Sequence, residues 1–193
     1  MTNDASLDLA TRTGLPDALR VLLEQYPRED WTEHAHFDGL VRFWLDRHVM
    51  FRKLTDMLRS DCEAVLDAQT DPRTFSNRLG RFGGMLVNEL HMHHQIEDAH
   101  YFPPLSGAEP RIARGFEILD RDHHAIDAHL GLFVEDANAV LRTAGDGADI
   151  RTAAGLLLAR TKRLDGFLDR HLIDEEELVV PVILRHGPGL VGH

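Results

Sequence analysis

Apolar residues recur every third or fourth position through four long stretches of this 193-residue chain, and that spacing leaves amphipathic helix as almost its only option. The first stripe is Leu40, Trp44, His48, Phe51, Thr55, Leu58, Cys62 and Val65, which predicts a helix over about residues 36–68. Asp71 followed by Pro72 is a cap-and-first-turn signal. The second helix follows it, striped Phe75, Leu79, Phe82, Leu86, Leu90, His93 and Glu97, and stops after Tyr101 at Pro103-Pro104. Pro110 opens the third, striped Phe116, Leu119, His123, Ile126, Leu130, Phe133, Ala137 and Val140. A Gly145-Asp146-Gly147 turn leads to the fourth, striped Leu157, Leu164, Phe167, His171, Glu175 and Leu178 and ending near Pro181. Connections this short make successive helices antiparallel neighbours, so an all-α, up-down-up-down four-helix bundle is expected over residues 36–184. Residues 1–35 read as an N-terminal extension with a short helix from Pro16 to about Gln25, and residues 185–193 as a C-terminal tail.

The stripes carry histidines where a bundle should carry leucines, and they do so in duplicate. His93, Glu97 and Pro103 stand at spacings of four and six, and so do His171, Glu175 and Pro181. Each pair is preceded, 45 or 48 residues earlier, by one histidine on an apolar stripe, His48 or His123. Residues four apart share a helical face with Cβ atoms about 6 Å apart, so each His-x-x-x-Glu can aim both groups at one place. His48 and His123 lie roughly 18–20 Å along their helices, and His93 and His171 roughly 13–15 Å from the matching ends of their antiparallel partners. All four imidazoles therefore fall in one layer, with the glutamates one turn nearer that end. Burying such a set without partners is very costly, whereas a pair of cations relieves it: carboxylates bridge or chelate, and neutral imidazoles donate lone pairs. Mixed nitrogen and oxygen ligation in a bundle core suits iron, with manganese or zinc as lesser alternatives.

Composition narrows the function classes. The formal net charge is -11 and there is no Lys/Arg-rich run, so the electrostatic footprint of a nucleic-acid binder is missing. The apolar runs are too short to span a bilayer. Met1 to Leu15 carries Asp4 and Asp8 and has no basic segment before an apolar one, so no signal peptide is expected. The single cysteine, Cys62, fits a reducing cytoplasm, which is the expected location, and it lies about four turns from His48, too far to ligate with it. No P-loop, Rossmann glycine pattern or Ser/His/Asp nucleophile arrangement is apparent.

The segments HMHHQIEDAHYFPPL (91–105), LDRDHHAIDAHL (119–130) and DRHLIDEEELVVPVI (169–183) resemble the haemerythrin-like, HHE cation-binding family. The resemblance covers residues 36–184 and implies a non-haem di-iron centre held by His48, His93, Glu97, His123, His171 and Glu175. It also implies ferrous or ferric iron with the two glutamates bridging the ions, with or without an oxo or hydroxo bridge. Two positions depart from the oxygen carriers. Asp127 stands where they have a second third-helix histidine, and Glu176 takes the place of an aspartate five residues after the fourth-helix histidine. A site richer in carboxylate favours ferric iron and reversible dioxygen binding less.

Several residues carry more than one reading. Asp127 is a seventh ligand, a carboxylate orienting His123, or a surface group. His94 with Asp98 forms a competing pair to His93 with Glu97, and the mirrored proline spacing favours the latter. His100, three residues past Glu97, either supports the ligands from behind or is an exposed helix-end residue. His91, His124 and His129 read as solvent-facing or inter-helix, and His34 and His36 as exposed. Gly83-Gly84 costs about 1 kcal/mol each relative to alanine inside a helix; close helix packing is the favoured reason, and a local bulge or a path for a small ligand is the bolder one. The expected function is binding, sensing or reaction with dioxygen, peroxide or nitric oxide, with a separate protein partner left open. The alternatives are a peroxide-decomposing, catalase-like di-iron enzyme, or a zinc or nickel bundle with no redox role.

Overall fold

The computed structural model of the chain describes residues 7–37 and 39–191; Asp4 and the last two residues of the expected tail lie outside them. It is all-α, with four long helices packed against each other and no strand among the described residues. The first is α1, Gly39–Leu66. The second is a run of helical pieces: α2 (Pro72–Arg78), a π turn (Leu79–Gly83), α3 (Gly84–Ile96), a second π turn (Glu97–Tyr101) and α4 (Phe102–Ala108). The third and fourth are α5, Ala113–Gly145, and α6, Arg151–His186.

Local chemistry sets most of the boundaries. The Asp71 carboxylate accepts from the backbone N–H groups of Arg73 and Thr74, with Pro72 in the first turn. Asp149 Oδ1 accepts from Arg151 N at the start of α6, and Gly147 (φ 71°) and Gly187 (φ 87°) take the left-handed conformation at turns flanking that helix.

Three boundaries differ from the sequence reading. Pro103-Pro104 do not stop the second helix. The π turn before them closes with a bond from Phe102 N–H back to Glu97 O, so the prolines sit in the first turn of α4, where their missing N–H groups are not needed. Pro181 does not end the fourth helix either and lies inside α6. The residues around it, Leu178, Val179, Val180, Val182, Ile183 and Leu184, are all buried, and their packing outweighs the roughly 3 kcal/mol that an interior proline costs. The expected helix from Pro16 to Gln25 is instead a 3-10 turn at Asp17–Leu19 followed by further turns, with another 3-10 segment at Arg28–Glu33. A lone helix of that length is marginal, and the burial of Leu15, Leu22 and Trp31 sets the path of the chain.

The chain forms two compact units. One takes the described residues up to Val49 with His93–His124 and the chain from Asp169 onward. It contains the start of α1, the end of the second helix, the start of α5 and the end of α6, which is the arrangement an up-down-up-down bundle requires at one end. Its core joins Leu7, Leu15, Leu22 and Trp31 of the segment before α1 to Val41, Phe102, Leu105, Phe116, Leu119 and the apolar run around Pro181. Gly115 is required there, because a Cβ at that position would lie 2.8 Å from Leu178 Cδ2.

The other unit takes Met50–Met92 and Ala125–Leu168, with a core that includes Phe51, Leu58, Cys62, Phe75, Leu86, Phe133, Val140 and Leu157. Its π turn adds one residue to the helical register. Gly83 is therefore buried, and Phe82 turns aside against Arg78 and Arg81, correcting its expected core position. The close-packing reading holds for Gly83, whose Cβ would stand 3.4 Å from Phe133 Cζ, but not for exposed Gly84.

Candidate metal centre

The first unit encloses the six residues singled out by the duplicated pattern. His48 comes from α1, His93 from α3, His123 from α5, and His171 and Glu175 from α6, with Glu97 opening the second π turn. All six are buried, and His48, Glu97, His171 and Glu175 are fully so. The structure gathers them as two groups whose ligand-type atoms lie within 4.8 Å of one another: His48, His93, Glu97 and Glu175, and His94, His123 and His171.

His94, which the sequence offers as half of a competing pair, joins His123 and His171. At about 100° per residue, Glu97 projects about 40° beyond His93 and about 60° short of His94. One side of the helix therefore presents both histidines with the glutamate between them, and the two are not alternatives. The His94 ring stacks on His123 at 3.9 Å between centroids with an 8° interplanar angle, and meets His171 edge-on at 5.6 Å. Asp127 belongs to neither group; it is part-exposed, with His91 Nδ1 3.7 Å away. His100 is exposed, and the His129 ring packs on Phe167 at 4.4 Å. Asp98, the other half of the competing pair, binds His123 Nδ1 at 2.8 Å. His36 is only part-buried, with Nδ1 2.7 Å from Leu184 O.

The carboxylates stand between the groups. Glu97 Oε1 is 3.0 Å from His93 Nε2, while its Oε2 is 3.7 Å from His123 Nε2. Glu175 Oε2 is 3.5 Å from both His48 Nε2 and His171 Nε2. Each glutamate thus reaches one histidine of either group, the disposition a bridging carboxylate needs.

Three of the ring Nδ1 atoms are backed by a further carboxylate: Glu176 for His48 at 3.0 Å, Asp98 for His123 at 2.8 Å and Asp122 for His171 at 3.5 Å. A carboxylate at Nδ1 holds the ring proton there and turns the Nε2 lone pair inward. The Trp44 indole N–H donates to Glu97 Oε1 at 2.6 Å, and its ring lies 4.3 Å from that of His48. Of the three carboxylates, Glu176 carries a sequence signal as the acid five residues after His171 and Asp98 as the acid four after His94, whereas Asp122 carries none.

The donor set fits cations on two counts. His123 Nε2, His171 Nε2, Glu97 Oε2 and both oxygens of Glu175 are buried with no hydrogen-bond partner. Left so, each costs about 1–3 kcal/mol. Protonation states agree as well. Burial, reinforced by the charge of His93, lowers His48 to about 4 despite Glu176; burial also lowers His171, and puts His94 well below the usual range. These imidazoles are neutral at pH 7, as ligation demands. Burial, and then the charge of Glu97, pushes Glu175 well above the carboxylate range; Glu97, raised by burial, is nonetheless held well below it by His93.

Below that raised pKa, cation binding has to expel a proton from Glu175. Affinity is expected to fall as pH falls through that group's elevated pKa, while His48 stays neutral down to about 4. Calorimetric titration in buffers of different ionisation enthalpy measures the release, and Glu175→Gln should abolish that component. Release undiminished in the variant would assign the proton to another group.

Comparison with known proteins bears on the same residues. The family model described as Hemerythrin HHE cation binding domain matches residues 39–183, most of the chain and all seven of the grouped side chains. No curated protein and no solved structure matches the chain. No helix among the described residues is long and apolar enough to cross a membrane.

Proposed function

Because the chain belongs to the hemerythrin HHE cation-binding family, we propose that it is a non-haem di-iron protein that binds, senses or reacts with dioxygen, peroxide or nitric oxide. The observation that carries this reading is the pair of glutamates, each within reach of a histidine from both groups. His48 and His93 would hold one ion, and His94, His123 and His171 the other, with Glu97 and Glu175 shared. When bound, the irons supply ferrous–ferric chemistry and an open coordination position for a small ligand.

The chain's own residues set the conditions for that ligand. Trp44 orients Glu97 through its indole N–H, and Glu176, Asp98 and Asp122 fix three ring orientations. Phe102 lies over His123 at 5.3 Å between centroids and packs with Phe116, giving that side an apolar wall that keeps water out. The same proposal places the protein in the cytoplasm, where iron and a reducing milieu coincide.

Metal quantification of protein purified after iron-supplemented growth, with an ultraviolet-visible spectrum, tests the reading. About two irons per chain with oxo-to-ferric charge-transfer bands are expected from mixed histidine and carboxylate ligation. A single colourless zinc per chain would replace it with a redox-inert bundle. Steady peroxide turnover by the iron-loaded protein would make it an enzyme rather than a binding or sensing module. His93→Ala and His171→Ala are expected to lower metal content and melting temperature, whereas His129→Ala, whose ring packs on Phe167, should leave metal content unchanged. Equal loading in all three would sink the ligand assignment.

A further inference from the structure

The segment before α1 lies outside the family match, yet two of its arginines end directly behind metal-facing histidines. Arg28 Nη1 donates to Glu176 Oε2 at 2.5 Å, and the other oxygen of that carboxylate meets His48 Nδ1 at 3.0 Å. Arg12 holds Asp122 with two guanidinium nitrogens, Nη1 at 2.8 Å from Oδ1 and Nη2 against Oδ2, and Oδ2 also faces His171 Nδ1 at 3.5 Å. The two chains of contact do not converge on one ion. His48 belongs to one ligand group and His171 to the other.

We infer that residues 7–37 are a working part of the metal centre, in which Arg12 and Arg28 are positioning residues that fix His171 and His48 through Asp122 and Glu176, one in each ligand group. This rests on the two-metal reading above.

The anchoring is built to hold those arginines in place. Arg12 also donates from Nε to Asp174 Oδ2 at 2.7 Å, and Asp174 Oδ1 accepts from Leu15 N at 3.1 Å and Arg170 Nη2 at 2.6 Å. Arg28 lies 4.7 Å over the ring of Trp31, which is buried in the core of the unit and donates to Tyr26 O at 2.8 Å. Each carboxylate accepts from its arginine and its imidazole at once. The guanidinium fixes the carboxylate's direction and draws off part of its negative charge, which limits how strongly it pulls on the ring N–H. Removing the arginine frees the carboxylate to rotate and leaves one imidazole without a fixed orientation, while the other ion's histidines keep theirs.

Cobalt(II) titration of the metal-free full-length protein, followed by visible absorption, separates the two positions. Wild type is expected to fill in two steps. Arg28→Met should weaken one step by about 10–100-fold and change the bands of that step alone, with Arg28→Lys recovering most of the loss. Arg12→Met should do the same to the other step. Arg28 is 45% exposed, so its replacement leaves the fold intact even if the buried Arg12 variant proves too unstable to titrate. Arg28→Met titrating within about twofold of wild type, or weakening both steps equally, would overturn the inference and leave the metal centre standing. Wild type taking up no cobalt would remove the two-metal reading, and this inference with it.

Discussion

Glu175→Met is expected to make the metal-free protein more stable while destroying its capacity for two metals. Glu175 is fully buried, neither of its oxygens has a hydrogen-bond partner, and burial together with Glu97 pushes its pKa well up. Exchanging an unsatisfied buried carboxyl for an apolar side chain of similar size recovers about 1–3 kcal/mol of desolvation cost. At roughly 2–4 °C per kcal/mol for a chain this long, the metal-free melting temperature should rise by several degrees. With metal the order reverses. A cation at one hundred times its dissociation constant stabilises the native state by about 2.7 kcal/mol per site, and a variant lacking a shared ligand loses that gain at both sites. Scanning calorimetry of both proteins with and without metal reads the crossover directly. A variant less stable than wild type in the metal-free state, or one that melts as high as wild type with metal, would show that Glu175 is an ordinary core residue.

The second large effect concerns folding rather than metal. Arg12→Ala is expected to cost about 3–5 kcal/mol, because it strands buried Asp122 without its guanidinium partner and leaves buried Asp174 with Arg170 alone. That corresponds to a melting temperature lower by on the order of 10 °C. The sign of its pH dependence follows from Asp122. Burial raises that carboxyl, but the hydrogen bond and charge of Arg12, with help from His171, bring it below its ordinary value. Its contribution is therefore present above the unfolded aspartate pKa and is lost as pH falls through the lower folded value. The gap between variant and wild type should be widest near neutral pH and narrow in acid, where the stranded Asp122 takes up a proton. Denaturant melts at both ends of that range measure it, and a gap independent of pH would place the effect in packing instead.

Much of the centre was legible in the chain because its ligands sit on helices. A helix fixes the angle between residues one, three or four apart, so His-x-x-x-Glu in duplicate, each following a lone stripe histidine, already implied convergence. His94 is legible by the same rule, because His93 and His94 need not be rivals; three residues within about 100° of arc share a face. The two π turns left a fainter mark. Gly83-Gly84 favours a packing site over a local bulge and Pro103-Pro104 reads as a helix stop, yet each adjoins an inserted residue that shifts the register by one, turning Phe82 aside and carrying the helix on to Ala108.

By itself, the sequence determined the helical class, the number of long helices, the turns after α1 and before α6, and the inward-facing histidines and glutamates, since each depends on interactions within a few residues of chain. Tertiary structure alone decided that Pro181 would lie inside a helix, that the segment before α1 would fold as turns against the core, and that Arg12 and Arg28 would stand behind His171 and His48. The first two rest on packing between elements distant in sequence. The arginine pairs join residues more than a hundred positions apart, where a carboxylate takes whichever partner the packing brings and local spacing carries no trace of the choice.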